Sequence, residues 1–287
     1  METLQLFAVG KGGPRPLPVP AGAAEIHDLV AGRPLGVYTA LRSYRQNHFL
    51  CLNEHLDRLE RSMAWLGWSE RLDRPLLRRA LHEVSSRYPL PEARLRIDVL
   101  APAGEGAPLE AGRLLIGLAP FRPPPAEAYT QGVRAAIAPG LRRARPLVKS
   151  AQFVAQRRPA QAADPAVYEW LLLDDDGHIL EGVTSNFYAV RDGALWTAGR
   201  GVLEGIARLI VLRVAEVAGV PVRLQPVPLA ELDRFSEAAL SSASRAILPI
   251  VQIGDKLVGA GRPGPVVRTL LTAYNQEVAR LIRPAIE

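Results

Sequence analysis

The chain has 287 residues, of which 48% are hydrophobic and 22% are charged, and its formal net charge is +6. These values are ordinary for a soluble globular protein with one large domain or two smaller ones. No apolar run approaches the length of a membrane span, and the first residues lack the pattern of a secretory signal. The single cysteine, Cys51, excludes an intrachain disulfide framework, so we expect a cytoplasmic protein without a membrane partner.

Alternating and helical hydrophobic patterns predict four strands and two helices in residues 1–118. The strands are predicted in LGVYTALRSY, HFLCL, ARLRIDVLA and GRLLIGLAP. The first helix is predicted in NEHLDRLERSMAWLGW, with Asn53 as its cap and leucines at helical spacing. The second helix covers roughly residues 75–87, with Pro75 in its first turn and Asp73 or Arg74 near the cap.

A proline-rich stretch, residues 119–129, predicts a stiff linker between this first domain and a second one at residues 130–287. Strands are predicted there in VRAAIAP, YEWLLLDD, HILEG, SNFYAV, ALWTA, AALSS and PIVQIG. Helices are predicted in GIARLIVLRVAEVAG and in GPVVRTLLTAYNQEVARLI. The former is expected to end at Gly219 and to bury one face, made of Ile206, Leu209, Ile210, Val214 and Val217. The chain is therefore predicted to be an α+β protein with a β-rich second domain.

Metal and nucleic-acid sites lack their sequence signatures. The five histidines and the cysteine do not have the spacing of metal ligands, so we expect no metal site. The densest basic segment, residues 141–149, lacks the interleaved aromatic residues of a nucleic-acid-binding surface, so we expect no nucleic-acid partner.

Lysine is scarce, because only three of the 35 basic residues are lysine. Lys11 and Lys256 lie in glycine-containing turns, whereas Lys149 lies among apolar residues in RPLVKSAQFV. Burial would lower the pKa of the Lys149 amine and allow it to form a Schiff base with a carbonyl group, as pyridoxal phosphate enzymes require. The alternative is a lysine that extends to solvent from the edge of a strand.

A glutamate interrupts the apolar stretch HILEGVTSNFYAV. Inside a protein, the Glu181 carboxylate would need a cationic partner, and the protonated pyridine nitrogen of pyridoxal phosphate is one candidate. The alternative is that Glu181 faces solvent at the end of a strand.

Three places could bind a phosphate group. Gly205 begins a helix, so the amides of Ile206 and Ala207 could contact an anion. The segment SSASR, residues 241–245, offers hydroxyl and amide groups, and Arg58 offers a guanidinium. Each place also has a purely structural interpretation. Gly205 could simply begin a helix, the SSASR segment could form a turn, and Arg58 could be a charge on the surface of its helix.

In this order, the segments resemble the class IV, or fold type IV, pyridoxal-phosphate aminotransferases. The resemblance rests on GVYTALRSY…HFLCLNEHLDRLERS, VKSAQF, YEWLLLDDDGHILEGVTSNFYAV, GVLEGIARLIVL and SSASRAILPIVQI. It implies a two-domain fold, in which a small α/β domain is linked to a larger cofactor-binding domain with a barrel-like sheet. It also implies a homodimer that moves an amino group between an amino acid or amine and a 2-oxo acid.

The same resemblance implies roles for individual residues. Lys149 would be the catalytic Schiff-base lysine, and Glu181 would bind the pyridine nitrogen. The phosphate would be bound by Arg58, Gly205, Ile206, Ala207, Ser242 and Ala243. Tyr38 would line the substrate side, and Arg96 is a candidate for binding a substrate carboxylate.

The sequence also departs from the family pattern. Ala207 and Ala243 stand where threonines are common, and Thr39 replaces a frequent glutamate. Two alternatives therefore remain open: a 4-amino-4-deoxychorismate lyase with the same cofactor, and a non-catalytic relative that acts as a binding module.

Overall fold

The structure is a computed structural model that describes residues 4–102, residue 109 and residues 112–286. The chain forms two compact units. The first unit comprises residues 1–122, 148–154 and 281–287, and the second comprises residues 123–147 and 155–280. Each unit has its own sheet and its own hydrophobic core.

The elements follow one another along the chain as strands with interspersed helices. The strands are β1 (Gln5–Gly10), β2 (Gly13–Leu17), β3 (Val37–Tyr44), β4 (His48–Leu50), β5 (Ala93–Val99), β6 (Leu114–Pro120), β7 (Val133–Ile137), β8 (Glu169–Leu173), β9 (His178–Gly182), β10 (Asn186–Arg191), β11 (Ala194–Trp196), β12 (Val222–Arg223), β13 (Val227–Pro228), β14 (Glu237–Ser242), β15 (Ala246–Ile253), β16 (Lys256–Leu257) and β17 (Ile282–Pro284). The helices are α1 (Leu52–Trp65), α2 (Arg74–Ser86), α3 (Ala126–Thr130), α4 (Ala151–Ala163), α5 (Ile206–Val217) and α6 (Pro265–Leu281). Among the described residues, no helix is both long enough and apolar enough to cross a membrane.

The sheet of the first unit has the strand order β17-β4-β3-β5-β6-β1-β2. Antiparallel pairing of β3 with β5 sets Tyr38 opposite Asp98, and Ala40 opposite Arg96. Because successive side chains of a strand point to opposite faces, Tyr38 shares one face with Arg96 and Asp98, whereas Thr39 points to the other face. The sheet therefore places the predicted residues Tyr38 and Arg96 on the same face.

The sheet of the second unit closes on itself. Its strand order is β12-β11-β10-β14-β15-β7-β8-β9-β13, and a further antiparallel pairing joins β9 to β10. The closing contact is a single residue pair, Asn186 with Glu181. Large apolar side chains, including Phe187, Leu240 and Leu248, fill the core of this unit. The predicted barrel-like sheet is thus present, and Glu181 lies where it closes.

Two details of the helices differ from the prediction. The predicted Asn53 cap is wrong, because α1 begins at Leu52 and its N-cap is Cys51, which has a positive φ of 48°. In α5, Ile206, Ile210 and Val214 are buried as predicted, but Leu209 and Val217 are exposed. Burial extends instead to the smaller side chains of Ala207 and Ala215 on the packed face, which the search for large apolar residues did not register.

Asp73 caps α2, as predicted, because its carboxylate accepts a hydrogen bond from the Leu76 amide at 2.9 Å. We expect Asp73→Ala to lower the free energy of unfolding by about 1 kcal/mol, because the amide loses its acceptor. Urea unfolding would measure the change. Asp73→Asn keeps an acceptor oxygen and is the matched control, so an equal loss in both variants would contradict the capping role.

Candidate active site

Lys149 lies two residues before α4, in the first unit, and it is half-buried. Its amide donates to Ser62 Oγ at 3.3 Å, and its carbonyl accepts from the Tyr38 amide at 3.0 Å. The Lys149 Nζ atom lies 4.9 Å from the centroid of the Tyr38 ring. The neighbouring Val148 and Phe153 are buried, so the apolar residues on both sides of Lys149 are packed in the interior.

A buried ion pair supports the Tyr38 ring. The Arg96 guanidinium carbon lies 3.9 Å from the ring centroid. Arg96 also binds Asp98 through two of its nitrogens, Nε at 2.7 Å and Nη2 at 2.6 Å, and both residues are buried. Burial raises the pKa of Asp98, although the Arg96 charge opposes this shift. The guanidinium of Arg96 is thus already paired with the Asp98 carboxylate. Its predicted role in binding a substrate carboxylate stays a prediction.

Arg58 is buried rather than a surface charge. It projects from α1 toward β3, where its Nη2 donates to Thr39 Oγ1 at 3.0 Å. The same Thr39 oxygen lies 2.7 Å from His55 Nδ1. Burial, together with the positive charges of Arg58 and Lys149, holds the pKa of His55 well below its usual range. The imidazole is therefore neutral at physiological pH.

In the second unit, Glu181 is only 1% exposed, so the solvent-facing alternative is excluded. One carboxylate oxygen accepts from Arg143 Nε at 2.8 Å, and the other accepts from the Leu203 amide at 3.1 Å. Each oxygen of a carboxylate can accept two hydrogen bonds. The Glu181 carboxylate therefore retains the capacity to accept a further N–H group, such as that of a protonated pyridine ring.

The N-terminus of α5 offers amide groups for an anion. Gly205 is the N-cap, and both Ile206 and Ala207 are buried. A Cβ atom at Gly205 would lie 2.1 Å from Asn186 Oδ1, so any larger residue at this cap would displace the Asn186 side chain. Because glycine supplies no capping oxygen, the first amides of this buried helix end need an acceptor of another kind. A phosphate group at a helix N-terminus is one such acceptor.

The predicted Ser242 is the last residue of β14, and the predicted Ala243 begins the turn that follows it. Ser242 Oγ accepts from Arg245 Nε at 3.0 Å. Arg245 also donates to Glu169, a buried carboxylate that accepts from the hydroxyls of Thr184 and Ser185. This network joins the turn to the segment that follows Glu181.

Asn186, which the sequence analysis missed, lies at the centre of the predicted residues of the second unit. It is paired with Glu181 on β9 and with Ser241 on β14, and its Oδ1 adjoins Gly205. Its Nδ2 donates to the Leu203 carbonyl at 2.8 Å. Asn186 therefore links the closure of the sheet to the start of α5.

The predicted site residues fall into two groups, one in each unit. In the second unit, the structure brings together Glu181, the start of α5 and the end of β14. In the first unit, it brings Lys149 and Arg96 together at the Tyr38 ring, and it places Arg58 against Thr39, the next residue of the same strand.

The sequence analysis also did not single out Glu169 and Arg245, which form the hydrogen-bond network next to Ser242. A glutamate within the apolar stretch YEWLLL is the same signal that singled out Glu181, and it could have identified Glu169.

Comparisons with known proteins identify the family of the chain and solved structures that share its fold. A family model described as amino-transferase class IV matches residues 36–253. The chain is 28% identical to a D-alanine aminotransferase of Bacillus licheniformis over 250 residues, which are 85% of this chain and 87% of the relative. The branched-chain amino acid aminotransferase of Escherichia coli has the same fold, with a TM-score of 0.77, 23% identity, and coverage of 96% of this chain and 94% of that one. A putative branched-chain amino acid aminotransferase from Thermotoga maritima gives a TM-score of 0.78, 23% identity and 97% coverage of both chains.

Proposed function

Because the chain belongs to the class IV aminotransferase family, for which pyridoxal phosphate is characteristic, we propose that Lys149 and Glu181 hold this cofactor here. The chain is an aminotransferase, and its activity is the transfer of an amino group to a 2-oxo acid. The observation that carries the proposal is the buried Glu181 carboxylate, which is fixed by Arg143 and the Leu203 amide at the closure of the barrel-like sheet.

The other contacts to the cofactor would come from the predicted site residues of the two units. When bound, pyridoxal phosphate supplies a ring that takes up the electrons released at the substrate carbon. Glu181 would accept the ring N–H and keep that nitrogen protonated. Lys149 Nζ would anchor the cofactor and then carry the proton that leaves the donor's α-carbon. Arg58, the amides of Ile206 and Ala207, and the turn with Ser242 and Ala243 would hold the phosphate.

We further propose a cytoplasmic homodimer that acts on an aliphatic amino acid. The single cysteine supports a reducing compartment. The names of the relatives, D-alanine and branched-chain amino acid aminotransferases, support an aliphatic donor. Tyr38, beside Lys149 and stacked on Arg96, would form one wall of the donor site.

A donor panel tests this function. Purified holoenzyme would be supplied with L-amino acids, D-amino acids and chiral amines, each with and without 2-oxoglutarate or pyruvate. We expect 2-oxo acid formation from an aliphatic amino acid, dependent on the acceptor. Pyruvate formation from 4-amino-4-deoxychorismate without any acceptor would indicate the lyase instead. A protein that neither binds pyridoxal phosphate nor turns over any donor would refute the proposal.

A further inference from the structure

A chain of buried hydrogen bonds runs from Arg58 through Thr39 to His55. We propose that Thr39 and His55 are positioning residues that fix the Arg58 guanidinium for binding the phosphate group of the cofactor. The inference rests on the proposed function and adds two residues to it. All three side chains are buried, at 4% exposure for Arg58, 0% for Thr39 and 2% for His55.

Chemistry fixes the direction of the hydrogen bond between Arg58 and Thr39, and the tautomer of His55 decides the direction of the one between Thr39 and His55. A guanidinium can only donate, so Thr39 Oγ1 accepts from Arg58 Nη2 at 3.0 Å. The proposed arrangement has Thr39 donate its single hydroxyl hydrogen to His55 Nδ1, 2.7 Å away. In this arrangement His55 Nδ1 is the acceptor, and the ring proton of the neutral imidazole resides on Nε2.

The electrostatic setting of His55 agrees with this assignment. Burial and the charges of Arg58 and Lys149 lower the pKa of His55, so the ring stays neutral and able to accept. A protonated imidazole would donate from both nitrogens and would place a third positive charge beside the other two. The neutral ring is thus the form that can receive the Thr39 hydroxyl.

The backbone reinforces the same arrangement. Ser62 Oγ donates to the Arg58 carbonyl at 2.9 Å and accepts from the Lys149 amide at 3.3 Å. One turn of α1 is thereby joined to the segment that carries Lys149. Ser62 therefore holds the backbone of Arg58, and Thr39 holds one nitrogen of its guanidinium group.

The test compares two ligands that differ only in the phosphate group. Full-length protein stripped of cofactor would be titrated with pyridoxal 5'-phosphate and with pyridoxal, and binding would be followed by absorbance. Thr39→Val removes the hydroxyl and preserves the shape of the side chain. We expect it to weaken pyridoxal phosphate binding about 10-fold while changing pyridoxal binding less than about 2-fold, since a hydrogen bond to a charged group is lost.

Four further variants make the result specific. Thr39→Ser restores a hydroxyl and should recover most of the lost affinity. Thr130→Val removes an exposed hydroxyl elsewhere and is the matched control. His55→Leu should reproduce the effect of Thr39→Val. The double variant should bind pyridoxal phosphate no more weakly than either single variant, because both substitutions interrupt the same series of hydrogen bonds.

Two outcomes would overturn the positioning role: equal weakening of both ligands in Thr39→Val, or pyridoxal phosphate affinity at the wild-type level. The ³¹P NMR signal of the bound phosphate should also move in Thr39→Val and return in Thr39→Ser. Wild-type protein that binds neither ligand would refute the proposed function itself, which keeps the two failures distinct.

Discussion

Replacing Lys149 with alanine is expected to lower turnover on the order of 10³-fold and to remove the visible absorbance of the bound cofactor. The amine would perform two tasks, anchoring the cofactor and carrying a proton, and no neighbouring lysine can substitute for it. The only other lysines are Lys11 and Lys256, and both are exposed. Steady-state rates and the spectrum of the purified protein measure the two tasks separately.

Lys256→Ala is the matched control for this experiment. Lys256 pairs with Asp233 at 3.2 Å on the surface of the second unit, and such exposed pairs contribute little to stability. Both rate and spectrum should therefore stay at wild-type values. Retention of the band in Lys149→Ala, or its loss in Lys256→Ala, would contradict the assignment of Lys149.

The fold was most predictable where the local sequence carries a strong pattern. Asp73 and Pro75 mark the start of α2 with a cap and a first-turn proline, and the helix begins there. The hairpin of β1 and β2 was missed, because Pro14 and Pro16 argue against a strand. Both prolines lie in β2, which is the edge strand of the sheet. An edge strand tolerates proline because not all of its amides need to donate a hydrogen bond.

Helix α4 was missed for a different reason. Its sequence, AQFVAQRRPAQAA, has a weak hydrophobic periodicity and contains Pro159, which normally interrupts a helix. β17 has only three residues, and it exists because it pairs with β4, more than 200 residues away in sequence. Local patterns do not encode a pairing over that distance.

The candidate site also combines residues that a local sequence pattern singles out with residues whose contacts depend on distant parts of the sequence. The sequence singles out Lys149 and Glu181 because each is chemically out of place in its own stretch, and the structure buries Glu181. Asn186 was not found, because its role depends on two strand pairings at once, with Glu181 and with Ser241. The Thr39–His55 contact likewise joins a strand to a helix, and nothing in the sequence specifies which face of each meets the other.

The second large effect is expected at Glu181. Glu181→Gln preserves the shape of the side chain but removes the charge that would keep the pyridine nitrogen protonated. We expect the turnover number at saturating cofactor to fall on the order of 10²-fold. Arg143, whose side chain is 8% exposed, would also lose its carboxylate partner, and breaking such a buried pair costs about 3 kcal/mol of unfolding free energy. Turnover and urea unfolding should therefore both be measured.

Glu216→Gln, on the exposed side of α5, is the control for the change of residue type.

A second substitution separates the two consequences of Glu181→Gln. Adding Arg143→Gln removes the buried positive charge, so the double variant should regain much of the lost stability. It should not regain turnover, because the charge opposite the ring nitrogen is still absent. If turnover returned together with stability, Glu181 would serve only as the structural partner of Arg143. A double variant that is stable yet slow would place the catalytic effect on the Glu181 carboxylate, because the fold would then be intact and only its charge missing.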